Sequence, residues 1–296
     1  MDAMSDRIAT VAAAMVSGGR GVVAFDACDT QAAGWERYVG GALLSDESIR
    51  STGVRGTLVG ALRARGIVPG IALGGGTTVV PGTDGELLAE GLDGARRRLA
   101  EYALLGAGFA TWRASFRALP SDAAIDANAE ALARFAAFAQ ESGMVPVVEL
   151  DVRNEGAHTI AAAALGAERV LRRSVDALAR TGVAFDGLVL APTMVLAGTM
   201  SPLADVSDVV TSTLRVLGAT VPVAVAGIAF LIEAQPRIHA AQRLCALNRA
   251  MPRRRPWPLS FTANRLPLHR AYCLSAAACG AYTAKLEDPR TLPLAA

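Results

Sequence analysis

Lysine is almost missing from this chain. All but one of its 29 basic residues are arginine, the exception being Lys285. Chemistry that needs a side-chain amine therefore has a single address, because arginine stays protonated and is no nucleophile. Cysteine is scarce too, with four in 296 residues (Cys28, Cys245, Cys273, Cys279). That is too few for a disulfide framework and points to free thiols in a reducing cytoplasm. The longest smooth apolar run, 221–232, is shorter than the roughly 20 residues a membrane helix needs. A basic leader is missing, since the first residues include Asp2, Asp6 and Arg7, and no secretory signal is expected. Neither sign of charge is in excess, with 29 basic against 27 acidic residues and a net +2. No long-range field then calls for nucleic acid or an anionic membrane. The arginine triplets 96–98 and 253–255 are taken as solvated faces. His158, His239 and His269 lack metal-ligand spacing and are placed on the surface or in loops.

What the chain does have is apolar material, 52% of its residues, ample for a packed core. No linker, low-complexity tract or charge block divides it, so residues 1–296 are taken as one domain. A short apolar run, a loop and an alanine- and arginine-rich amphipathic segment recur along the chain. Strands are expected at 21–26, 67–73, 109–113, 144–150, 187–192, 221–230 and 257–262, with a weak one near 243–247. Helices are expected between them, among them 85–105, 125–142 and 167–181. Apolar strands alternating with helices argue an α/β fold with a parallel sheet covered on both faces. Eight such units in one undivided chain argue closure into a (β/α)8 TIM barrel. The competing fold is an open sheet with a glycine-rich phosphate loop. Gly74-Gly75-Gly76 is the one candidate loop and lacks the required spacing.

In a barrel, chemistry gathers where the strands end, and side chains alternate along each strand. That alternation brings Asp26, Thr111 with Arg113, Glu149 with Asp151, and Ala191 with Thr193 to one mouth. Ala72 ends another strand, and Arg265 follows the last. Three carboxylates and two guanidiniums thus converge. Cys28 lies two residues past Asp26, with no histidine near it in sequence to activate it.

These stretches resemble class I fructose-bisphosphate aldolase. The resemblance rests on 82–86, 91–94, Gly106 to Arg113, Gly143 to Glu149, Leu190 to Val195, Gly227 to Leu231 and Trp257 to Arg265. It runs from about Gly21 to about Tyr282 and implies a (β/α)8 barrel assembled as a homo-oligomer, a tetramer or dimer. It also implies retained roles for Asp26, Arg113, Glu149, Arg265 and Asp151, the last a glutamate in the family. Three family lysines are replaced: the imine-forming one by Ala191, the others by Thr111 and Ala72. Lys285 lies past the last strand. The family's Ser-Gly-Gly loop reads Ile232-Glu233-Ala234, putting a carboxylate where a phosphate would sit.

With those ammonium groups gone, the remaining carboxylates repel one another, and one of them should hold its proton to higher pH. The expectation is therefore an aldolase-like lyase, not of the Schiff-base type, acting by carboxylate acid/base chemistry. Its substrate would be a small, unphosphorylated carbonyl- or amine-bearing metabolite in an aldol-type or condensation and cyclisation step. Asp26 and Glu149 would move protons, with Asp151 orienting Glu149. Arg113 and Arg265 would bind the substrate, with Thr111, Ala191, Thr193 and Cys28 around it. An inactive aldolase-fold binding or scaffolding protein is the alternative, and fructose-bisphosphate aldolase activity itself comes third. No cofactor is expected, although the carboxylates have the oxygen chemistry to hold a divalent cation. The partner is a small molecule, with no nucleic acid or membrane, and the location cytoplasmic.

Overall fold

Eight parallel strands close on one another in this chain. In the computed structural model, the chain is described over residues 3–25, 33–53, 56–233, 235, 237–251 and 256–291. The barrel strands are β1 (Gly21–Ala24), β2 (Val39–Leu44), β3 (Val68–Ala72) and β4 (Phe109–Phe116). They continue with β5 (Val145–Val152), β6 (Val189–Pro192), β7 (Gly227–Leu231) and β8 (Leu259–Ala263). Each pairs in parallel with the next, and β8 returns to β1, so the TIM barrel is confirmed. The helices are α1 (Ala3–Val16), α2 (Asp46–Arg50), α3 (Leu58–Ala64), α4 (Ala95–Leu105) and α5 (Asp122–Glu141). Then come α6 (Ile160–Arg180), α7 (Val206–Thr220), α8 (Arg237–Ala250) and α9 (Leu268–Ala278).

Local chemistry sets several of these boundaries. Ser121 opens α5 by accepting the Ala124 N–H at 3.2 Å, and Thr159 opens α6 by accepting the Ala162 N–H at 3.2 Å. Such caps satisfy amide donors that a helix start would otherwise leave unpaired. Between α5 and α6 the arginines find a use. Arg169, Arg173 and Arg180 reach Asp122, Asp126 and Glu130 across the two helices. Exposed pairs of this kind contribute below about 1 kcal/mol each.

The barrel interior is apolar at its base. Val22, Phe109, Val145, Val147, Val189 and Ala229 pack with Ile8, Ala12, Met15 and Val16 of α1, which covers the N-terminal ends of the strands. A second, larger core lies between strands and outer helices and includes Trp112, Phe135, Leu178 and Phe230.

Strand β2 was not expected, and 243–247 is helix. Gly40 and Gly41 weaken the strand signal of 39–44, yet packing requires the first and leaves little room at the second. A Cβ on Gly40 would lie 2.0 Å from the Met15 carbonyl oxygen, and one on Gly41 would meet the Phe109 ring at 3.2 Å. In α8, Ala240, Ala241, Leu244, Cys245, Leu247 and Asn248 are buried, a spacing of three and four that belongs to a helix face. The segment expected as helix from 85 onward is helical only from Ala95. Before it, Leu87–Ala89 pairs antiparallel with Thr77–Val79.

Candidate active site

Register places the first three groups. On β4 and β5, Arg113 stands opposite Glu149 and Ser115 opposite Asp151; across β5 and β6, Ala191 stands opposite Glu149. Period-two alternation then aims these side chains together at the C-terminal end of the barrel. Arg113 Nε donates to Glu149 Oε2 at 2.5 Å, and its Nη1 donates to Glu233 Oε2 at 3.0 Å. Glu233, from the loop after β7, also accepts the Asn264 backbone N–H at 2.7 Å. Asp151 accepts a hydrogen bond from Ser115 Oγ at 3.0 Å.

The electrostatics follow from depth. The Glu149 side chain is only 4% exposed. Burial holds its pKa above the ordinary carboxylate value; Arg113 opposes this, while Glu233 and Asp151 reinforce it by repulsion. For Arg113, burial works against the charge, but Glu149 and Glu233 outweigh it and raise its pKa above the usual arginine value. One guanidinium thus serves two carboxylates, and Glu149 is the group with most reason to carry a proton.

Two cavities meet at Glu233. One, about 320 Å³, is lined by Arg113, Asp151, Arg153 and Leu231 among others. The other, also about 320 Å³, lies between the ends of β7 and β8 and helices α8 and α9. Its wall includes Ile232, Asn264, Arg265 and Arg270.

The expected residues come together only in part. Arg113 and Asp151 line the first cavity, with Glu149 bonded to Arg113, and exposed Arg265, which has partners of its own, lines the second. Thr111 and Ala191 are buried beside the cluster's strands, and Ala72 is exposed. The Thr193 hydroxyl is engaged, donating to the Val152 carbonyl and accepting the Val152 N–H, both at 3.1 Å. Asp26 and Cys28 lie outside the described residues. Lys285 is exposed on the short helix Ala284–Glu287, which follows α9. Among the described residues, no three His, Cys, Asp or Glu side chains converge as a metal site, and no helix is long and apolar enough to cross a membrane.

Sequence reasoning foresaw a carboxylate at Glu233 but not its bond to Arg113, which joins β4 to the loop after β7, 120 residues apart. It missed Ser115, although the alternation that picked out Thr111 and Arg113 includes it. It also missed buried Arg243 and its partner Gln235, for which no local signal exists.

Comparison with known proteins completes the description. Residues 30–274 match the family model for fructose-bisphosphate aldolase class-I. A probable fructose-bisphosphate aldolase class 1 of Xylella fastidiosa is 38% identical over 291 residues, covering 88% of this chain and 86% of that protein. A fructose-bisphosphate aldolase, cytoplasmic isozyme, of Cicer arietinum is 38% identical over 234 residues, 77% of this chain and 65% of its own. The crystal structure of Plasmodium falciparum fructose-bisphosphate aldolase superposes with a TM-score of 0.89 at 29% identity, over 96% of this chain and 97% of that one. These likenesses overturn the expectation of a divergent enzyme that has left Schiff-base chemistry. That expectation weighed three substituted lysine positions and an altered phosphate loop, whereas the similarity extends over most of the chain to proteins named for aldolase itself. The activity placed last therefore moves first.

Proposed function

Because this chain belongs to the class I fructose-bisphosphate aldolase family, we propose that it is itself an aldolase, cleaving and re-forming a carbon–carbon bond of a phosphorylated ketose. Fructose bisphosphate, the sugar its relatives are named for, is the substrate. The observation that carries this most is the Arg113–Glu149 pair at the strand ends, within a chain 38% identical to an aldolase over most of its length.

Cleavage removes a proton from the hydroxyl beside the bond that breaks. The bond's electron pair moves toward the carbonyl side, and a proton is returned to that carbon when the product leaves. A buried carboxylate of raised pKa suits this traffic, since it holds a proton more readily than an ordinary carboxylate does and can pass it on. Glu149 takes that role, oriented by Arg113 Nε. Asp151, steadied by Ser115, adds the negative charge that keeps Glu149 basic. Asp26 joins the proton handling, Arg113 and Arg265 meet anionic oxygens of the substrate, and Thr111, Ala191, Thr193 and Cys28 surround it. If the carbonyl is held as an imine, Lys285 is the one side chain that can carry it, so an adduct trapped by borohydride maps there or to no side chain.

Residues 1–296 are taken as one domain working as a homo-oligomer, as the family resemblance implies. A cytoplasmic location is supported by the relative named as a cytoplasmic isozyme. Release of triose phosphates from fructose bisphosphate, followed by a coupled assay, tests the proposal. Glu149→Gln should lower kcat by about 100-fold or more. Absence of cleavage by the unaltered protein, or full turnover by the variant, contradicts the assignment.

A further inference from the structure

The row of side chains that carries Arg113 and Glu149 continues toward the rim of the barrel mouth. On β4 and β5 the mouth-facing positions pair as Arg113 with Glu149 and Ser115 with Asp151. Two residues further, in the same alternation, stand Arg117 and Arg153. The two backbones still run together there, since the Arg153 N–H donates to the Phe116 carbonyl at 2.9 Å. The first two rungs each set a carboxylate beside a hydrogen-bond donor. This one sets two guanidiniums on neighbouring strands, whose backbones lie about 5 Å apart. Like charges so placed repel, at a cost in stability unless something anionic stands between them.

The acids beside this pair are poor counter-ions. Arg117 Nη1 reaches Asp84 at 3.3 Å, but the Asp84 side chain is fully exposed. Among the described residues the Arg153 guanidinium bonds only Glu155, at 3.2 Å, and that side chain is 73% exposed. Pairs this exposed contribute below about 1 kcal/mol each, so a better-placed anion displaces them at little cost. Both arginines line one cavity of about 450 Å³, together with Leu119, Gly156 and His158. Arg153 and Glu155 also line the cavity that holds Arg113 and Asp151, so the rim cavity adjoins the candidate active site.

We propose that Arg117 and Arg153 form a phosphoryl-binding site at this rim, one rung beyond Ser115 and Asp151. Each guanidinium offers parallel N–H donors, and the two oxygens of a carboxylate fill only one such fork. A phosphoryl group has three acceptor oxygens and a charge near −2, which matches two guanidiniums at once. It bonds both, while the Asp84 and Glu155 side chains swing into water. The bound charge also relieves the repulsion, so binding and stability are linked by mass action. Neither Arg113 nor Glu149 takes part, and the site stands or falls apart from the aldolase assignment.

Isothermal titration of the full-length protein with inorganic phosphate tests it, at ionic strength matched by sodium chloride, beside a double variant carrying Arg117→Gln and Arg153→Gln. The unaltered protein should bind phosphate, and the double variant should lose one site per chain or bind there at least about 10-fold more weakly. Without phosphate the double variant should melt no lower than the parent, because it loses a repulsion rather than a support. Repeating both titrations in saturating fructose bisphosphate separates the two sources of a phosphoryl group. A difference between parent and variant that disappears makes the bound group a phosphoryl of the sugar; one that persists makes it a free anion. A parent that binds no phosphate beyond the chloride control overturns the proposal. A double variant that binds as the parent does overturns it too, and if that variant also melts lower, the two arginines are structural.

Discussion

Burying Glu149 carries a cost, and that cost has a sign. Its folded pKa stands above the ordinary value of 4.5. An acid of this kind contributes stability below its unfolded pKa and loses that contribution as pH rises through the folded value. Replacing it with the neutral isostere removes the dependence. Measured by urea unfolding, Glu149→Gln should therefore gain stability relative to the parent as pH rises above the ordinary glutamate value of 4.5. A difference that stays flat, or falls, over that rise contradicts the burial argument. Glu149 and Arg113 were legible because alternation along a strand is local information. Arg243 was not, since its segment looks like a short apolar run, and only the packed helix shows the guanidinium turned inward and bonded to Gln235.

At the scale of elements, the long helices and the richest strands announced themselves. Runs such as 145–148 and 227–231 are apolar throughout because both faces of their strands are covered. Strand β2 hid behind its glycines, which look like loop punctuation in sequence but mark close approach in space. The backbone of α1 crosses Gly40 so tightly that any side chain there must push the helix off the barrel floor. Gly40→Ala should cost about 3 kcal/mol or more in a urea melt, at the upper end of what overpacking does. A change within about 0.5 kcal/mol, the range of an ordinary surface substitution, contradicts the idea that α1 seals the base.

For the whole molecule, the count of eight strand-and-helix units was readable although one unit was misplaced. Closure depends on number and alternation more than on any single boundary. Function was harder to read, because the mouth's substituted positions, Ala72, Thr111 and Ala191, speak louder in a motif comparison than the rest of the chain. Likeness spread over 88% of its length outweighs them. The central claim is that this barrel breaks a carbon–carbon bond of fructose bisphosphate. Substrate carrying ¹³C at both carbons of that bond, incubated with the purified protein and followed by NMR, reports on the bond directly. The account predicts that the one-bond coupling between them disappears as triose phosphate signals grow; a coupling that persists undiminished, with no new signals, contradicts it.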